Sequence, residues 1–220
     1  MTYPKAYNGV KKIHTAQVLS LISSILGFVV AILGILGIVF LPSTEGGSIV
    51  FALIALIVGL IAAVLAIIAY ILEIVGLKNA SHDDSSFYTA FIFAIIGLVL
   101  IVLSTVFSVL KVANGFGDDI ATIFTEFSSI IIVVFVTIGV RNLAAQLGQD
   151  AMVKRARSVA ILQAVILALA IIANIISLLT GNAAVMVSGI IALIGAVLTI
   201  VFAIVYLVFL GKAKKMLKEN

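Results

Sequence analysis

Few residues of this chain carry chemistry, and most that do sit in or beside long apolar runs. Two acids stand out. Glu73 lies near the end of the apolar run 48–77. An acid at membrane depth is a candidate proton or cation site. The alternative is a group reaching the interface and paired with Lys78 or Arg141. Lys78 is only five residues away, which favours that alternative. Glu126 is separated from Arg141 by 14 residues. At ~1.5 Å each these fall short of ~30 Å of hydrocarbon. Either Glu126 dips into the outer leaflet or Arg141 snorkels from the inner one, and snorkelling is cheaper.

Gln163 and Asn174 are the strongest polar side chains inside uncharged stretches. They fall on one face of a helix, roughly 16 Å apart. With Ser177, Ser104, Ser108 and Gln17 they would line a polar path. They serve equally as interhelical hydrogen bonds, worth about 0.6 kcal/mol each. His14 and His82 belong to no HExxH pattern, and there is no Cys. Asn114, Asp118 and Asp119 lack the spacing of a calcium loop. GxSxG, Walker A and GxGxxG are absent. The expectation is therefore no metal, no cofactor and no enzyme.

The elements that must position these residues are apolar helices. The composition is 64% hydrophobic and 10% charged, with mean hydropathy +1.41. A soluble domain has no interior large enough for that much apolar surface. Residues 158–211 run 54 positions without Asp, Glu, Lys or Arg. One span needs about 20 residues, so this stretch holds two, broken at Gly181-Asn182. Read this way, the chain predicts helices at about 13–41, 48–77, 87–111, 120–147, 155–180 and 183–210. Pro4 and Gly9 argue against an earlier start for the first. Ser48 and Asp119 are expected helix caps, and Asp83, Asp84, Ser85 and Ser86 are available to cap the third helix. The apolar run 13–41 is too long for the ~7–15-residue core of a cleaved signal.

Lys and Arg divide 12 to 1 between the two sides, with Lys111 the exception. The positive-inside rule then places both chain ends in the cytoplasm. The inner surface carries about +7 and the outer about −3. Anionic lipid headgroups are sufficient partners for this basic balance, and no nucleic acid is required. Lys154, Arg155, Arg157, Lys212, Lys214 and Lys215 are the candidate contacts with lipid or a partner protein, a second copy included. Charge bias from orientation alone also accounts for them.

Three hairpins, at about 13–77, 87–147 and 155–211, recur every 70 residues or so. Gly76-Leu77-Lys78-Asn79, Gly139-Val140-Arg141-Asn142 and Gly211-Lys212 echo one another. Five helices carry small or polar stripes suited to close packing in lipid, among them Gln17, Ser20 and Ser24 in the first and Ala94 and Gly97 in the third. The fourth is nearly all β-branched over 130–136, which predicts a lipid-facing, peripheral helix.

The predicted fold is an all-α integral membrane bundle of six transmembrane helices, built as three antiparallel hairpin repeats in one polytopic domain. In size and helix number it resembles the substrate-capturing membrane subunits of energy-coupling-factor vitamin importers. That resemblance is one of layout. It implies a partner-docking helix with small residues four apart, for which Ala16, Ser20 and Ser24, or Ala160, Ala164 and Ala168, are the matching positions. Two functions fit: a small-solute transporter or membrane subunit of a transport complex, and a non-catalytic structural or partner-binding membrane protein. Both prolines lie outside the spans, which argues against the broken helices of many carriers.

Overall fold

The computed structural model describes the backbone of residues 3–40, 45–110, 116–180 and 185–219. It describes the side chains of residues 3–33, 50–103, 127–168, 198 and 200–219. Six helices account for nearly all of it: α1 (Pro4–Phe40), α2 (Glu45–Ala80), α3 (Ser85–Leu110), α4 (Phe116–Gln146), α5 (Asp150–Thr180) and α6 (Val185–Glu219). Each packs on the next in sequence, and α6 returns to α1, closing a ring. Both chain ends lie at one end of that ring.

Among the described residues, four helices contain windows long and apolar enough to cross a membrane: Pro4–Leu33, Val50–Ala80, Ser85–Leu103 and Phe127–Gln146. Their outer faces are bare of covering protein. Phe28 is 68% exposed, and Leu56 and Leu60 are 65% exposed. A patch of this kind is a liability in water and ordinary in lipid.

The terminal helices are longer than the sequence predicts. α1 begins at Pro4 because proline is tolerated in a first turn, where its missing N–H has no partner to lose. Ala6, Val10 and Ile13 follow at helical spacing and are fully buried. Gly9 does not break this helix. It lets α1 touch α2 backbone to backbone: a Cβ on Gly9 would lie 2.5 Å from the Gly76 carbonyl oxygen. The basic tail expected after residue 210 is likewise the end of α6. Leu210, Ala213, Met216 and Leu217 form its buried face, while Lys212 and Lys215 stay exposed.

These additions build the tightest part of the molecule. Phe87, Val140, Leu143, Met152, Ala156 and Phe209 join the buried faces of α1 and α6 in one cluster at the termini end. Polar groups tie its rim. Asp83 Oδ2 accepts the Ala6 N–H at 2.6 Å, so a residue of the α2–α3 turn caps α1. Asp84 caps α3 by accepting the Ser86 N–H at 2.8 Å, and Asn142 of α4 donates to its other oxygen at 3.2 Å. Tyr3 Oη donates to Gln146 Oε1 at 2.6 Å. Two other expected caps are not caps: Ser48 and Asp119 lie inside α2 and α4.

The link expected at 148–154 shrinks to a tight turn. Gln149 N–H donates to the Ala144 carbonyl at 2.8 Å and Gly148 N–H to that of Ala145 at 3.1 Å. That pattern is a Schellman cap, and it puts Gly148 at φ 67°.

Helix α4 corrects the sequence reading most clearly. Of the four membrane-length windows its own is the most buried, 44% against 6–22%. Ser128, Ile132, Val136, Val140 and Leu143 make its inward face, and Gly139 receives the Phe87 ring of α3. β-Branched residues suit a lipid face, but they suit a ridge packed on a neighbour equally well. Of the three glycine echoes, Gly76 and Gly139 face their own hairpin partners, whereas Gly211 faces His14 of α1.

Candidate functional site

Inside the ring, α1 to α4 leave a cavity of about 280 Å³. Helix periodicity supplies its walls in pairs. Gln17 and Ser20 are one turn apart on α1, and Tyr70 and Glu73 are one turn apart on α2. Gly97 of α3 and Ser128, Ser129, Ile132 and Val133 of α4 complete the lining. The antiparallel register brings them level. Phe87 meets Gly139 across α3 and α4, and ten residues further on Gly97 meets Ser128. Ser128 is 13 residues from Arg141, about 20 Å deeper along the axis.

Among the described residues Glu73 is the only acid lining this cavity. Its Oε1 accepts one hydrogen bond, from Gln17 Nε2 at 3.2 Å. Among the described residues no Lys, Arg or His lies within 4 Å of it; the ion pair at that cutoff is Lys215–Glu219. The expected pairing with Lys78 or Arg141 is therefore not made. Lys78 points outward, exposed, and Arg141 belongs to a groove between α4 and α5. Glu73 faces inward because it shares the small-residue face of α2 with Ala62 and Ala69, both buried. A carboxylate accepts about four hydrogen bonds when satisfied, and among the described residues this one has a single protein donor. Its charge calls for a cation or a proton from the cavity.

Tyr70 closes one side. Its hydroxyl donates to the Ala94 carbonyl at 2.5 Å. The oxygen can sit there because Gly97 has no side chain; a Cβ would lie 3.1 Å from it. The ring is thereby pinned across α2 and α3.

Beyond the cavity, three buried polar atoms have no hydrogen-bond partner among the described residues: Thr137 Oγ1, Gln163 Oε1 and Tyr206 Oη. Tyr206 is close enough to Glu73 to feel its charge. It is sandwiched between Phe202 and Phe209, with ring centroids 5.7 and 6.2 Å away. Met152 and Met216 share one pocket across α5 and α6, and counting inward from them puts Gln163 level with Tyr206. The interior thus holds a polar layer to which α1, α2, α4, α5 and α6 contribute side chains. Buried polar groups are normally satisfied, so orphaned ones mark places where water or a ligand belongs.

Of the predicted path, Gln17 lines the cavity, and Gln163 is buried on α5 without lining it. The side chains of Asn174, Ser177, Ser104, Ser108 and Glu126 lie outside the described residues. Sequence reasoning missed Tyr70, Ser128 and Ser129. Tyr70 carried a signal, being one turn from Glu73 on the same face. The two serines gave none, because the β-branched run after them pointed to lipid.

The predicted basic contacts divide among three places. Arg155, Lys212 and Lys215 share a shallow pocket with Gln149 and Met216. Arg157 lines the α4–α5 groove. Lys214 lies near His14, and Lys154 is exposed.

No family model, curated protein or solved structure matches this chain. Function must therefore be argued from the cavity itself.

Proposed function

We propose that this chain is a six-span membrane protein that binds and moves a small cationic solute, with both ends in the cytoplasm. One observation carries the reading: a cavity between apolar helices whose lining, among the described residues, holds a single carboxylate with one protein hydrogen bond and no cationic partner. A structural seam would bury small side chains there and leave no room. The volume of about 280 Å³ sits at the lower edge of ligand pockets, which start near ~300 Å³. It suits a compact ammonium or guanidinium compound, or a partly hydrated metal cation. Glu73 supplies the charge, Gln17 and the serines supply oxygens, and the Tyr70 ring offers a face to a cation.

The test is uptake of ethylammonium, guanidinium and rubidium by proteoliposomes of the full chain. Glu73→Gln should abolish uptake of whichever probe is carried, while the protein keeps its helical content and melting profile. Lys154→Gln should leave uptake unchanged. Wild-type rates from Glu73→Gln would reject the reading.

A second reading rests on the pocket that gathers Arg155, Lys212 and Lys215 at the termini end, with Glu219 paired to Lys215. It makes the chain a partner-binding membrane protein that recognises an acidic segment. Reversing those three charges should then release a co-purifying protein without altering uptake. A co-purifying set unchanged by the reversal would exclude it.

A further inference from the structure

The turn at Gly148 folds α5 back along α4 and brings two arginines to one level. Arg141 precedes the turn by seven residues, and Arg157 follows it by nine. Both line a groove of about 240 Å³ with Thr137, Ile138, Ala160 and Ala164. The groove is open outward between the two helices, on the surface that faces the apolar medium.

We propose that this groove is a binding site for one anionic phospholipid, its phosphate between Arg141 and Arg157 and one acyl chain running down the α4–α5 seam. Two features assign that occupant. First, the mouth is cationic and uncompensated. Among the described residues no acid lines the groove, and neither arginine has a carboxylate within 4 Å. Arginine presents a planar fork that matches phosphate oxygens. Second, the floor is apolar and shallow. Ala156, Ala160 and Ala164 recur every fourth residue on α5, so a chain-shaped furrow begins at the two charges and leads away from the termini end. A free phosphate would use the mouth and leave the furrow empty. Orientation alone explains basic residues near an inner surface, but it does not put two of them astride one furrow.

The site is separate from the Glu73 cavity, so it stands or falls independently of the transport reading. The experiment is native mass spectrometry of the full chain released from nanodiscs. The discs contain phosphatidylglycerol and phosphatidylcholine in equal amounts. One phosphatidylglycerol should stay bound preferentially. Arg141→Gln with Arg157→Gln should lower its retention roughly thirtyfold, each basic residue near the surface contributing a factor of about five. Lys154→Gln with Arg155→Gln, equal in charge but outside the groove, should change it little. Ala160→Leu should displace the acyl chain and cut retention with both arginines intact, which keeps the proposal open to test even if the double variant misfolds. Equal losses from the two double variants would overturn the site. Displacement of the lipid by millimolar inorganic phosphate would also overturn it, as would retention unaffected by Ala160→Leu: both mean a simple anion pocket. A tightly held protein subunit in place of lipid would reassign the furrow to a partner helix.

Discussion

Replacing Gly9 by alanine isolates what holds the cavity's first two walls together. A Cβ on Gly9 would stand 2.5 Å from the Gly76 carbonyl oxygen, 2.6 Å from the Ala80 nitrogen and 2.7 Å from the Ala80 Cβ. All three belong to the backbone or first side-chain carbon of α2, so none can swing away. Ordinary contact begins near 3.4 Å, which requires α1 and α2 to part by most of an ångström. Overpacking of that kind costs about 1–3 kcal/mol. Alanine also gains up to ~1 kcal/mol of helix propensity over glycine, which opposes the clash. Gly27→Ala is the matching control: same helix, same chemical change, and nothing within 4 Å of the new Cβ. The difference between the two variants therefore reads the clash alone. Thermal unfolding of both in one detergent, followed by circular dichroism, should place Gly9→Ala below Gly27→Ala by about 1–3 kcal/mol. A parted α1–α2 crossing should also break the 3.2 Å Gln17–Glu73 bond and lower solute affinity. Equal melting of the two variants would refute the backbone contact and the helix register derived from it.

Three further substitutions test other joints by the same melts. Asp83→Ala removes the acceptor for the Ala6 N–H and should cost about 1 kcal/mol, as loss of a helix cap does, with fraying confined to the start of α1 in hydrogen exchange. Gly148→Ala forces an L-residue to φ 67° and should cost about 1–2 kcal/mol, while leaving the α4–α5 groove otherwise intact. Gln163→Leu removes a buried carbonyl that has no partner among the described residues, and it should raise stability or leave it unchanged. A loss above 2 kcal/mol there would mean that Gln163 is satisfied by a bound water.

Reading α4 from its residues alone shows where a sequence stops being informative. Ile130–Val136 is apolar on every side, so periodicity offers no stripe to orient it. Which edge faces the neighbours was decided by Gly139, whose missing side chain admits the Phe87 ring and rotates Ser128 and Ile132 inward. The ends of α1 and α6 were legible and still misread. Ala6-Val10-Ile13 and Leu210-Ala213-Leu217 are amphipathic repeats, but Pro4, Gly9 and four lysines are stronger surface cues than two turns of weak periodicity. Glu73 was expected to pair with Lys78 or Arg141, and among the described residues neither lies within 4 Å of it. Sequence distance along α2 favoured Lys78, whereas the side chain leaves the helix on the opposite, inward face.

What the amino-acid order determined by itself is the solvent and the element type. Long runs without charge must satisfy every backbone group internally, and the helix is the solution open to a single segment in an apolar medium. It also determined the stripes of small residues, because close approach is impossible without them. The tertiary structure alone decided what those stripes enclose. A helix tells which residues share a face, but not which other face arrives at the same height. That depends on crossing points such as Gly9–Gly76 and Phe87–Gly139, where atoms far apart in the chain come into contact. The cavity around Glu73 exists because those crossings set four helices in one register with a gap between them.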